Sequence, residues 1–217
     1  MIRGGAVLLA LVFSLAASAH ARAQEPPPRI GPFVVDLHGI VPMFTDDPIL
    51  AQSRGLNQVE LPGSGLGASV GVHVYLVRVK GVTVGVGGEA TASRSRSAPI
   101  SAADQTTELR GVREEFRSIA PQLSLNFGNG NGWSYLSVGV GRARWSVVPD
   151  GADPLPPDDE VLKTVDYGGG ARWFIKKHLA FSLDVRMHEI KNGAPQEGRP
   201  GSPHTLLLVI GAGISVK

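Results

Sequence analysis

The 217-residue chain carries 21 Lys+Arg against 19 Asp+Glu, only 18% charged residues, 28 glycines and no cysteine. That length holds one domain or at most two, and the missing cysteine excludes disulfides, thiol catalysis and thiolate metal sites. A near-neutral balance gives no footprint for a nucleic-acid partner.

The N-terminus reads as an export signal. Arg3 is followed by an uncharged apolar run over residues 6–19, and Ala19-His20-Ala21 and Ala21-Arg22-Ala23 place small residues where a signal peptidase reads them. We expect a secretory signal peptide at 1–23, cleaved near Ala21 or Ala23, because the run is short for a membrane anchor. Its removal takes Arg3 and Arg22 and no acid, leaving Lys+Arg and Asp+Glu level at 19. Residues 24–32, QEPPPRIGP, form a proline-rich, extended lead-in. Beyond it no apolar run approaches the ~20 residues of a spanning helix, so any membrane crossing must be made by strands.

Residues 33–217 contain eight strand candidates, at 33–44, 65–77, 82–94, 112–127, 133–148, 161–175, 178–190 and 204–217. The clearest is the pair over 65–94. Leu66, Ala68, Val70, Val72, Val74 and Leu76 alternate with Gly67, Ser69, Gly71, His73 and Tyr75, and the period resumes with Val82, Val84 and Val86 against Thr83, Gly85 and Gly87. Period-two alternation gives each strand one apolar and one polar face. The candidate at 178–190 repeats it, with Leu179, Phe181, Leu183, Val185 and Met187 opposite Ala180, Ser182, Asp184, Arg186 and His188. Exceptions occur: Val34 and Ile40 fall on the polar face of the first strand, Leu207 and Val209 blur the last, and Arg142 falls in phase with Leu136, Val138 and Val140.

The links alternate in length. Those after strands two, four and six are short and rich in Gly, Asn or Lys; those at 45–64, 95–111, 149–160 and 191–203 are long. Short turns on one rim and long loops on the other suit an up-and-down membrane barrel. An eight-stranded, antiparallel, up-and-down transmembrane β-barrel is therefore the expected all-β fold, with both termini in the periplasm and four longer loops outside. Turning the polar face inward gathers Asp36, His38, His73, Glu89, Asp166, Arg172, Asp184, Arg186 and His188 in a lumen just wide enough for side chains to fill. Buried charges must pair, so the favoured expectation is a plug of interior salt bridges, and the alternative is a gate in a narrow pore. Phe127, Trp133, Tyr135, Trp145, Tyr167, Trp173 and Phe174 are candidates for the interfacial aromatic girdles.

The segment DYGGGARWFIKKHLAFSLDVRMHEI, with the Gly168–Gly170 triplet, Arg172-Trp173-Phe174, a short turn and then Phe181, Asp184 and Arg186, resembles the penultimate hairpin of small bacterial outer-membrane barrels of the OmpA transmembrane-domain, OmpW and OmpX types. The chain departs from them in ending Ser215-Val216-Lys217 and in its 6% aromatic content. The resemblance implies a cell outer-membrane location in a Gram-negative-type envelope, with outer-membrane lipid and lipopolysaccharide as partners, barrel-assembly machinery at insertion, and a monomeric state. The expected role is structural or surface-interaction, without catalysis. The alternatives are a narrow channel or small apolar-solute conduit and a soluble periplasmic lipocalin-like barrel, which would turn the apolar face inward.

Site chemistry is sparse. His38, His73 and His188 lie on different strands without ligand-like spacing, so neither metal nor cofactor is expected. The acidic stretch at 149–160 lacks the ordered spacing of a calcium loop and reads as a solvated loop. Ser202, His204 and Glu197 offer a weak Ser-His-acid set. The nominal dinucleotide fingerprints at Gly63 and Gly85 lack the helix that would hold a phosphate.

Overall fold

The computed structural model describes residues 28–98, 100–101 and 108–217. The expected signal peptide and the start of the lead-in lie outside them. The strands are β1 (Phe33–Met43), β2 (Leu66–Val79), β3 (Val82–Arg96), β4 (Ile100–Ser101), β5 (Glu108–Leu109), β6 (Val112–Asn129), β7 (Gly132–Pro149), β8 (Asp159–Phe174), β9 (Leu179–Ile190) and β10 (Thr205–Val216). Eight close into a barrel in the order β1-β10-β9-β8-β7-β6-β3-β2, while β4 and β5 pair separately in the second long loop. The barrel pairs are antiparallel, and β1 closes the ring against β10 through Val35↔Val216 to Met43↔Leu208. Up-and-down connection and full closure leave the barrel itself without an edge strand to pair with another chain.

The alternation read from the sequence is realised face by face. Val70, Val72 and Val74 of β2, Leu136, Val138 and Val140 of β7, and Leu183 and Val185 of β9 all point outward and are exposed. This excludes the inverted lipocalin arrangement, in which those side chains would line a cavity. An apolar outer belt is stable only against lipid, and a closed barrel satisfies its backbone hydrogen bonds internally, as the hydrocarbon layer requires. The hairpin turns match the local twist: Lys80 (φ 47°) and Gly81 (φ 92°) supply the two positive φ angles that a two-residue turn needs.

The first long loop contains helix α1 (Pro48–Ser53), opened by Asp47, whose carboxylate accepts from the Ile49 amide at 2.7 Å. A 3-10 turn follows at Gln58–Glu60. Neither is visible in the strand periodicity of the sequence.

Inside, the barrel has three layers. At the long-loop end Leu50, Ala51, Leu56 and Leu61 from the first loop pack with Ile40, Val112, Phe116, Trp145, Val147, Leu207 and Val209. At the short-turn end Ile30, Val34 and Trp133 pack with Tyr75 and Phe174. Polar and charged side chains fill the middle. The residues that broke the alternation, Val34, Ile40, Leu207 and Val209, therefore face inward as expected from their phase and form the apolar caps of the interior. Trp133, Tyr135 and Trp145 correct the girdle expectation. Each is 3% exposed and points inward, whereas Phe127, Tyr167 and Trp173 do face outward. Phe174 is partly buried against the short-turn cluster.

Candidate functional site

The middle layer is built around two arginines, one on β8 and one on β9. Arg172 makes a two-pronged contact with Asp36 of β1 across the lumen, Nε to Oδ1 at 2.8 Å and Nη2 to Oδ2 at 2.6 Å. The Ser215 hydroxyl donates to the same carboxylate. The guanidinium lies 3.9 Å from the ring centroid of Tyr135, a desolvated cation–π contact. Arg186 meets three carboxylates: Asp166 at 2.9 Å, Glu89 at 3.2 Å and Asp184 at 3.2 Å. The Tyr135 hydroxyl donates to Asp184, which joins the two groups into one network. Gln122 donates to Asp166 at 2.7 Å, and Thr91 donates to Glu89 at 3.3 Å. Both arginine side chains are 2% exposed, so each charge is balanced by contact rather than by bulk water.

Small residues make the room. A Cβ on Gly139 would stand 2.5 Å from Asp166 Oδ2, and one on Gly170 would stand 2.7 Å from the Tyr135 hydroxyl oxygen and 2.1 Å from the Leu183 carbonyl. The glycine triplet thus lets β8 approach β9 closely while the tyrosine swings across it.

Of the interior residues read from the sequence, Asp36, Glu89, Asp166, Arg172, Asp184 and Arg186 come together in ion pairs. His38 sits nearby with Nε2 2.7 Å from the Ser182 hydroxyl. His73 and His188 are buried at 3% and 2% exposure but make no hydrogen bond to a described protein group; His188 packs its ring at 5.0 Å on Phe116. Among the described residues no three His, Asp or Glu side chains gather in a metal-holding arrangement. Gln122, Thr91 and Ser215, and Tyr135 in place of its expected girdle role, also belong to the network. Their inward parity was legible, but partners such as Asp36 and Ser215, 179 positions apart, are set only by closure of the barrel.

A second charged cluster lies among the long loops. Arg54, just after α1, donates from Nη2 to the Ser202 hydroxyl at 2.6 Å and to Glu160 at 3.3 Å, and its Nε lies 3.7 Å from Asp158. Ser202 returns its backbone N–H to Glu160 at 2.8 Å, and Arg199 reaches Asp158 at 2.8 Å. Asp158 and Glu160 are each 5% exposed, which corrects the solvated-loop reading of 149–160 for its C-terminal part. Burial pulls the Arg54 guanidinium below its ordinary value, and the charges of Glu160 and Asp158 oppose that pull. The first and second loops are tied by Glu60, whose carboxylate accepts from the Asn57 amide at 2.6 Å and the Arg110 amide at 2.7 Å. Burial alone would raise the Glu60 carboxyl, but these amides and the Arg110 charge outweigh it and hold the group below its ordinary value.

The Ser-His-acid set is not assembled. Ser202 is engaged with Arg54 and Glu160, His204 Nε2 lies 3.0 Å from Glu189, and Glu197 is exposed.

An apolar outer belt around a closed, up-and-down ring of eight strands defines a transmembrane β-barrel. The chain matches the outer membrane protein beta-barrel domain over residues 7–212 and belongs to that family; its place is the outer membrane. No curated protein sequence matches it significantly. Among solved structures, Neisserial surface protein A (NspA) is 14% identical with a TM-score of 0.48, covering 85% of this chain and 96% of its own. Ail, the attachment invasion locus protein of Yersinia pestis, solved with the heparin analogue sucrose octasulfate, is 13% identical with a TM-score of 0.48, covering 85% and 98%. The outer membrane enzyme PagL is 14% identical with a TM-score of 0.45, covering 85% and 99%.

Proposed function

We propose that this protein is a closed surface-interaction barrel, without catalysis, that presents its long loops outside the cell. The observation that carries this reading is the Arg54 cluster. It draws on the first loop (Arg54), the third (Asp158, Glu160) and the fourth (Arg199, Ser202), and holds them as one ordered cap. A preorganised surface loses less entropy when a partner docks than free loops do. The interior below supports the same role, because the Arg172 and Arg186 networks occupy the lumen and the loop-derived Leu50 and Leu56 close its mouth. Lipopolysaccharide fits as a lateral partner: Arg117, Arg142 and Lys163 face outward beside Ile119 and Val161 at the upper margin of the apolar belt. The signal peptide at 1–23 and the monomeric state belong to the same proposal.

Planar-bilayer recording tests it together with surface labelling. The native protein should show no steady conductance, and a tag placed at residues 152–155 should be reached by reagents on intact cells. A stable open channel, or a tag accessible only from the periplasm, would overturn the reading.

A further inference from the structure

The two rims differ in charge. The short-turn rim comprises residues 28–32, the turns 78–81, 128–132 and 175–178, and the end of β10. It contains Arg29, Arg78, Lys80, Lys176, Lys177, His178 and Lys217, and these segments contain no Asp or Glu. Carboxylates of the described long loops, such as Asp47, Glu60, Asp150, Asp158 and Glu197, all lie at the opposite end.

The basic rim is also hollowed. A groove of about 850 Å³ runs between the 28–33 segment and the β8–β9 turn, lined by Phe33, Ile175, Lys176, Lys177, His178 and Lys217 among others. Its form is fixed by contacts: the Gly130 amide donates to the Pro28 carbonyl, His178 Nδ1 donates to the Lys217 carbonyl at 2.9 Å, and the Lys217 ammonium sits 3.7 Å from the Phe174 ring centroid. Lys176 and Lys177 are left exposed at its lip. On the outer side the apolar wall continues without a break. Ile175 is 75% exposed, and next to it Trp173 stacks on Phe181 at 6.0 Å, both facing outward in the lipid-contacting surface of β8 and β9.

We infer that this groove holds an anionic phospholipid of the adjoining leaflet, its phosphate between Lys176 and Lys177 and an acyl chain along Ile175 and Trp173. The groove and the apolar wall beside it together argue for that occupant. A soluble polyanion would use the lysines but would leave Ile175 and Trp173 uncovered, and a neutral lipid would use the apolar wall but not the lysines. A lipid with a net negative headgroup uses both, and it already lies in the plane where the wall is found. Each lysine facing an anionic lipid adds about fivefold in affinity.

The experiment is native mass spectrometry of the folded barrel released from micelles containing equal amounts of phosphatidylglycerol and phosphatidylcholine. The native protein should retain phosphatidylglycerol preferentially. K176Q/K177Q should lower that preference about tenfold or more, and I175S should reduce retention of both lipids. R113Q/K191Q, at the other rim, should leave the preference unchanged, and heat-dependent gel mobility verifies that each variant is folded. Millimolar glycerol phosphate should not displace the lipid. Equal retention of the two lipids by the native protein, an undiminished preference in K176Q/K177Q, or full displacement by glycerol phosphate would each overturn the inference.

Discussion

The Asp36–Arg172 pair allows the interior network to be weighed quantitatively. In R172M the Asp36 carboxylate keeps the Ser215 hydroxyl but loses two charge-assisted hydrogen bonds at 2.8 and 2.6 Å, in a site where the two side chains are 2% and 5% exposed. Removing one member of a buried pair costs about 3–5 kcal/mol, because the other charge is left uncompensated. In D36N the orphan is the guanidinium, with a cost in the same range, but its contact with the Tyr135 ring at 3.9 Å survives. A desolvated cation–π contact is worth about 1–2 kcal/mol, so R172M should be the more damaging single change by roughly 1 kcal/mol. In D36N/R172M neither charge remains to be stranded, and the double variant should be no worse than R172M alone. The cycle then yields a coupling of about 3 kcal/mol, at the upper end for contacting residues. Equilibrium urea titration in lipid vesicles measures it, and tryptophan emission is a suitable probe because Arg172 lies 5.7 Å from the Trp133 ring. Additive single effects, with a coupling below about 0.5 kcal/mol, would show that the pair is not the linchpin of the lumen.

Two further expectations bear on the belt and the loops. Val138 faces outward at 46% exposure, between Leu136 and Val140 in the apolar run of β7; V138R should cost about 2–4 kcal/mol in a bilayer, and a cost near zero by the same titration would place that face in water. Because the folded Glu60 carboxyl is held below its unfolded value, its anchoring contribution is full above the ordinary carboxylate range and declines as the pH falls through the depressed value. Limited proteolysis between residues 55 and 62 should therefore accelerate on acidification, and E60Q should be cut quickly at neutral pH and respond less to acid.

Most of the barrel was legible because its signal is local. Period-two alternation over 65–94 and 178–190 needs only neighbouring residues, and Lys80-Gly81 declares its turn through the φ angles it can adopt. The interior charges were legible by parity alone, which placed Asp36 and Arg172 on the same side of the wall without pairing them. Pairing depends on which strands end up opposite one another, a property of closure and stagger rather than of any short segment. The loop cluster shows the sharper limit. Arg54 and Ser202 are 148 positions apart, neither lies in a strand, and the acidic run beside Glu160 carries the composition of a solvated loop. Aromatic placement failed for a different reason: Trp133 and Trp145 lie on the inward parity of β7, but aromatic character near a strand end suggests a membrane interface whichever way the side chain points.

The Arg54 cluster also divides the long loops into parts with unequal freedom to change. Asp158, Glu160 and Ser202 are buried anchors, whereas residues 151–156 between β7 and the anchors are exposed. Substitutions or inserted peptides at that tip leave the anchoring contacts in place, while a change at any one anchor loosens the others. Sequence variation that preserves the fold would therefore accumulate at the tip in a mosaic around a fixed base, and the same tip is the natural position for inserting a foreign peptide into this barrel.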